Sequence, residues 1–233
     1  MLTTAPKGLL FDLDGTLIDS VDDLVISINQ TLSEIGARPL SRNEVCSFIG
    51  KGARNMVQRS MTAFLGEKPD EHLVDKLYLS YVHNMQSLDG KYSKLLPYVT
   101  SSLMALKQAG FKLAVVTNKP SIVVEPILKR FGLTEYFSIA LGADSVEHPK
   151  PAPDMLEAAA KALGLSINET VMIGDSMNDA LAAKNAGIMA LLLKTGYNEG
   201  INIEDWVQIN TPNFPVFDSM QELSQYLLPF QRS

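Results

Sequence analysis

The sequence predicts an α/β fold, a parallel sheet with helices on both faces, interrupted by an inserted all-helical domain. Three observations carry this prediction. Five short, continuously apolar runs recur along the chain. Helical patterns with clear ends lie between most of them. The stretch between the first and second runs is far too long for a simple crossover, and it too reads as helix.

The apolar runs cover residues 7–12, 112–117, 138–142, 170–174 and 188–193. Their apolar residues are continuous rather than alternating, which is the pattern of strands buried on both faces of a parallel sheet. The helical segments 100–109, 120–131, 153–163 and 176–186 close at Gly110, Gly132, Gly164 and Gly187. Pro120 suits a first helical position. Strand and helix in alternation make a Rossmann-like core. A last helix, 219–228, packs back on it.

Between residues 17 and 90 the rhythm changes. Ser20 is placed to cap a helix over 21–35, where Val21, Val25, Ile28, Leu32 and Ile35 form one apolar stripe ended by Gly36. Ser41 and Glu44 have capping-box spacing. Further helices are expected over 53–65 and 70–85, separated by Gly66 and Pro69. A crossover between parallel strands needs only about a dozen residues. Residues 17–90 therefore read as a helical cap domain, residues 1–16 and 91–233 as the core, and Asp89-Gly90 as the return hinge.

Composition narrows the function. The chain has 233 residues, 46% of them hydrophobic, enough for a substantial core. Its net charge is −6 with no long basic block, which argues against nucleic acid as a partner. Cys46 is the only cysteine, so no intrachain disulfide is possible. No apolar run approaches the roughly 20 residues of a membrane helix. Residues 1–7 lack the pattern of a secretory leader. These features predict a soluble, cytoplasmic protein that binds no membrane, as a monomer or homodimer.

The chemistry is expected where the strands end, because open α/β sheets bind ligands beyond the carboxyl ends of their strands. Asp12 and Asp14 end the first strand and, two residues apart, share one side of the chain. Thr117 and Asn118 end the second, Lys150 follows the third, and Asp175 and Ser176 follow the fourth. Each has an ordinary alternative. Asp14-Gly15 is also a turn signal, Asp175-Ser176 a helix cap, 117–120 a plain loop, and Lys150 a solvated lysine. Gathered at one edge of one sheet, they make a small, highly charged site.

In this order, Asp12-Leu13-Asp14-Gly15-Thr16, Thr117, Lys150 and Gly174-Asp175-Ser176-Met177-Asn178-Asp179 resemble the four motifs of the haloacid dehalogenase-like superfamily, in its phosphatase branch. The match spans the whole chain, and the insertion looks like that superfamily's helical cap. Residues 115–120 and 196–200 are similar to phosphoglycolate phosphatases. The resemblance implies a phosphomonoesterase for a small phosphorylated metabolite, 2-phosphoglycolate first among them. It implies Asp12 as the nucleophile that forms an aspartyl-phosphate, and Asp14 as general acid and then base. It implies Mg²⁺ held by Asp12, the backbone carbonyl of Asp14 and Asp175, with Thr117, Asn118 and Lys150 on the phosphoryl oxygens. Asp179 and Ser176 would stand behind these groups, Asp179 orienting Lys150 or a metal-bound water. Asp14 argues against a haloacid dehalogenase proper, which lacks a second acid. A sugar-phosphate phosphatase, a phosphohexomutase and a non-catalytic phosphometabolite sensor stay open.

Substrate choice is expected from Gly50-Lys51-Gly52-Ala53-Arg54 in the cap. Two glycines allow close backbone approach, the loop opens a helix, and Lys51 and Arg54 offer charge to a substrate anion. The competing reading is a glycine-rich turn carrying two surface bases.

Overall fold

A computed structural model describes residues 5–231. Residues 1–4, part of the stretch read above for a leader, lie outside the described residues, as do 232–233. In chain order the elements are β1 (Gly8–Phe11), β2 (Ile18–Asp19), α1 (Val21–Ser33), α2 (Arg42–Cys46), α3 (Ala53–Leu65), α4 (Glu71–Leu88), β3 (Lys94–Leu95), α5 (Val99–Gln108), β4 (Lys112–Val116), α6 (Ser121–Arg130), β5 (Ile139–Leu141), α7 (Asp154–Ala162), β6 (Thr170–Gly174), α8 (Met177–Asn185), β7 (Ala190–Leu193), α9 (Ile203–Asn210), β8 (Val216–Phe217) and α10 (Met220–Leu227).

Six strands form one parallel sheet in the order β5-β4-β1-β6-β7-β8. β1 lies in the middle, and all four of its residues are buried. Its alternation sorts side chains between two cores. Leu9 and Phe11 pack with Leu113, Val115, Val171, Ile173, Leu191 and Leu193 on one face. Leu10 packs with Ala114, Val116, Met172, Ala190 and Leu192 on the other. Burial on both faces is why the runs lack a polar alternate. Each fully buried Leu or Phe contributes about 1.5–3 kcal/mol.

The helical insertion is spliced in at a second, two-stranded sheet, where β2 and β3 pair antiparallel. The chain leaves the core and returns to it through this ladder. α1, α3 and α4 pack on one another. Ser41 and Glu44 form the expected capping box on α2. Asp89 and Gly90, expected as a hinge, both have positive φ and end α4.

Three details differ from expectation. β5 is an edge strand and only half-buried. β2, β3 and β8 were not foreseen, since two residues are too short to show a period. α9 lies outside every helix the sequence predicts. Asn202 caps it, accepting from the backbone N–H groups of Glu204 and Asp205. Among the described residues no helix is long and apolar enough to cross a membrane.

Candidate active site

Asp12 extends β1 by one step, its N–H donating to Ile173 O at 2.8 Å. The sheet therefore fixes its backbone. Leu13 O then accepts from the N–H groups of Leu17 and Ile18, folding the chain into a tight turn. Gly15 sits in that turn at φ +86°, and a Cβ there would lie 2.5 Å from Asp175 Oδ2. The turn leaves the Asp14 carboxylate facing Lys119, whose Nζ is 3.0 and 3.1 Å from the two carboxylate oxygens. Ser20 Oγ also donates to Asp14 Oδ1.

Asp175 follows β6. Thr16 Oγ1 donates to its Oδ1 at 2.9 Å, and Tyr197 N–H to its Oδ2 at 3.3 Å. The backbone of Gly196 passes so near that a Cβ would stand 1.6 Å from Oδ2. Only glycine fits there. The cap of α8 is Ser176, not Asp175. Ser176 Oγ accepts from Asp179 N–H, and the Asp179 carboxylate answers on the Ser176 N–H. Asp175 is thereby free of capping and faces the site.

Asp179 is fully committed. Its Oδ2 accepts from Asp175 N, Ser176 N and Ser176 Oγ, and its Oδ1 from Lys150 Nζ at 2.6 Å. Lys150 Nζ also lies 3.0 Å from Asp12 Oδ1. So Asp179 holds the ammonium that faces Asp12. Thr117 follows β4, and its Oγ1 accepts from Lys119 N–H at 3.2 Å. Asn118 Nδ2 donates to Lys150 O at 2.7 Å and to Gly50 O at 3.0 Å, tying the loop after β4 to the cap.

These groups floor a cleft between core and cap. The core wall is polar and charged: Asp12, Asp14, Thr117, Asn118, Lys119, Lys150, Asp175, Ser176, Asn178 and Asn198. The cap wall is Leu24, Phe48, Ile49, Gly50, Gly52, Ala53, Met56, Tyr81 and Met85, with no charged side chain.

Burial dominates the electrostatics. It pushes the Asp12 carboxyl up to about 7, with Lys150 opposing and the Asp179 and Asp14 carboxylates adding to the rise. Burial, then the charges of Asp179 and Asp12, raise Asp175 well above the ordinary range. Burial works against the Lys150 ammonium, but Asp12 and Asp179 outweigh it and hold its pKa above the usual value.

The donor set fits a hard divalent cation. Asp12, Asp175 and Asp179 each offer an oxygen, all within 4.8 Å of one another. Asp12 Oδ1 is buried and accepts no well-aligned hydrogen bond. Carboxylate oxygens without sulfur or imidazole suit Mg²⁺ rather than zinc. Because Asp179 is saturated, Asp12 and Asp175 are the carboxylates with acceptor capacity to spare.

This arrangement predicts a linkage. Asp12 and Asp175 bind protons more tightly in the folded than in the unfolded chain, so stability without metal falls as pH rises from the ordinary carboxylate range through about 7. Lys150 titrates above this window, and Glu44, Glu71 and Glu169, each lowered to about 2, below it. In EDTA the melting temperature is expected to be lower at pH 8 than at pH 5.5. Added Mg²⁺ should raise it more at pH 8. Equal increments at both pH values would contradict the assignment.

Two cap residues do not reach the cleft. Lys51 Nζ lies 3.1 Å from Glu199 Oε1, on the core. Arg54 pairs with Glu71 and Asp75 on α4 at 2.8 and 2.7 Å. The structure thus places neither Lys51 nor Arg54, both expected to face the substrate, on the wall of the cleft. Gly50 and Gly52 do line the cleft, Gly52 starting α3 without a side-chain cap. Arg54→Ala is expected to change kcat/KM by no more than about twofold, as for other exposed ion pairs. A tenfold rise in KM would restore Arg54 to the substrate.

The sequence reading missed Lys119, Asn178, Tyr197 and Asn198. Asn198 Oδ1 accepts from Met177 N–H at 2.6 Å, and Tyr197 Oη donates to Asp19 Oδ1. Asn178 is buried with no partner on Nδ2. All lie inside segments flagged by resemblance, but nothing in those segments marks which side chains turn inward.

Residues 9–193 match the family described as haloacid dehalogenase-like hydrolase. The chain belongs to that family. It is 39% identical over 201 residues to a phosphoglycolate phosphatase of Colwellia psychrerythraea, covering 85% of this chain and 88% of that one. It is 39% identical over 224 residues to one from Psychrobacter arcticus, covering 94% and 95%. Among solved structures, a predicted phosphoglycolate phosphatase from Haemophilus somnus superposes with a TM-score of 0.86 at 34% identity, covering 96% of this chain and 99% of that one. The α/β core with its helical cap is thus the family's fold.

Proposed function

We propose that this chain is a Mg²⁺-dependent phosphomonoesterase that hydrolyses 2-phosphoglycolate through an aspartyl-phosphate on Asp12. The observation that carries the reading is Asp12 Oδ1. It is a buried carboxylate oxygen without an aligned hydrogen bond, at the floor of a cleft, opposed by Lys150 and followed by a second acid. The similarity to proteins named phosphoglycolate phosphatase supports the substrate.

The residues divide the work as follows. Thr117, the backbone N–H groups near Asn118, and Lys150 bind the phosphoryl oxygens. Asp12 attacks phosphorus, and the bond to the ester oxygen breaks. Asp14 gives that oxygen its proton. Asp14 then takes a proton from water as the water attacks the phosphorus of the aspartyl-phosphate. Phosphate leaves, and Asp12 is regenerated as a carboxylate. Asp12, the Asp14 carbonyl and Asp175 would hold Mg²⁺, which when bound would supply the charge that lets a carboxylate meet a phosphate dianion. Residues 17–90 act as a cap that closes on the core, 1–16 and 91–233, to exclude water during the first step. The apolar cap wall suits that task.

A phosphohexomutase must hold a second phosphate in the same cleft, and the cap wall carries no cation for it. The test is phosphate release from 2-phosphoglycolate, glucose and ribose phosphates, nucleotides and pyrophosphate, with Mg²⁺ or EDTA. Preferential hydrolysis of 2-phosphoglycolate that needs Mg²⁺ is expected. Even hydrolysis across the panel, or activity indifferent to EDTA, would overturn the reading.

A further inference from the structure

We propose that Lys119 is the residue that selects the substrate's carboxylate, so that the site prefers phosphate esters of α-hydroxy acids. The inference rests on the phosphomonoesterase reading above and deepens it.

A substrate carboxylate needs a cation or a set of free donors. The cap wall has no charged side chain, and Lys51 and Arg54 are held elsewhere by Glu199 and by Glu71 and Asp75. The described lining has two cations, Lys119 and Lys150. Lys150 is divided between Asp12 and Asp179, at the end of the cleft where the phosphoryl group must sit. Lys119 is the other. Its side chain is only 5% exposed, so its charge is directed into the cleft rather than into solvent.

Its donors fit the task. An ammonium has three N–H groups. The contacts of Lys119 Nζ are the two oxygens of Asp14, at 3.0 and 3.1 Å. Its third N–H has no partner among the described residues.

Position decides which anion is selected. Asp14 is the acid that protonates the ester oxygen. A group bound to Asp14 therefore stands beside the carbon that carries that oxygen. In an α-hydroxy acid the carboxylate is attached to that same carbon. An ammonium touching Asp14 meets such a carboxylate, whereas an anion several carbons away falls against the apolar cap wall. The smallest ester of this class is 2-phosphoglycolate. Lys119 is thus a specificity residue, bridging the acid and the substrate's carboxylate.

The test compares kcat/KM for 2-phosphoglycolate with that for ethyl phosphate, which replaces the carboxylate by a methyl group, in wild-type, Lys119→Met and Lys119→Arg. Loss of the contact with Asp14 lowers both substrates in Lys119→Met, so the ratio is the readout. A charge-assisted hydrogen bond is worth enough that the ratio should fall at least about tenfold in Lys119→Met. Lys119→Arg keeps the charge and should keep most of the preference, which covers the case in which the methionine variant fails to fold. If the wild type prefers 2-phosphoglycolate and Lys119→Met keeps the ratio, the assignment to Lys119 is overturned while the phosphatase reading stands. If the wild type hydrolyses esters but shows no preference, the α-hydroxy-acid class falls for both.

Discussion

Asp12→Asn is expected to leave the protein folded and to remove turnover. The amide has the size of the carboxylate and cannot attack phosphorus, so the loss should be at least about a thousandfold, as for other nucleophile deletions. Folding is a separate matter. Asp12 is a buried acid whose charge is opposed by desolvation and by two neighbouring carboxylates, with Lys150 as its compensation. Lys150 keeps Asp179 in the variant. The melting temperature in EDTA at pH 8 should therefore match or exceed that of the wild type, because one uncomfortable buried charge is gone. The Mg²⁺ increment should shrink, since a carboxylate ligand is lost. Phosphate release and thermal melts in EDTA and Mg²⁺ read both effects. Activity that survives would place the nucleophile elsewhere.

Lys150→Met has the opposite signature, damaging both stability and turnover. Lys150 is 4% exposed and is the cation between Asp12 and Asp179. Methionine fills similar space but leaves two buried carboxylates facing each other without compensation. Breaking a buried pair on one side costs about 3–5 kcal/mol. Turnover should fall at least about a hundredfold, because the phosphoryl group also loses a fixed positive charge. Mg²⁺ should return part of the stability and little of the activity. A chemical denaturation midpoint equal to the wild type's would show that the pair is not what holds this end of the sheet.

The contrast between these two variants explains what was legible in the sequence. Strand ends are readable, because a continuous apolar run stops abruptly. That located Asp12, Thr117 and Asp175, and the sheet then gathered them. Asp179 was readable through its spacing from Asp175, and its carboxylate accepts from Lys150, Asp175 N and Ser176 Oγ. Lys119 was not readable. It follows Thr117-Asn118 in a loop, where neither a period of two nor one of 3.6 says which way a side chain turns. Lys51 and Arg54 failed for a related reason. A charged residue beside a glycine turn looks available to a ligand, but Glu199 meets Lys51 across the cap boundary, and Glu71 and Asp75 on α4 meet Arg54. Gly196 was visible only as part of a resemblance. Its reason, a backbone in contact with the Asp175 carboxylate, exists only in three dimensions.

The measurement that bears most directly on the central claim is to trap the phosphoryl group. The wild-type enzyme, turning over 2-phosphoglycolate with Mg²⁺, would be quenched with borohydride, which reduces an acyl phosphate to the alcohol, and its peptides weighed. Homoserine at position 12, dependent on substrate and absent in EDTA, is the result predicted. An unmodified Asp12 in an enzyme that is visibly releasing phosphate, or homoserine at Asp14 or Asp175 instead, would contradict it.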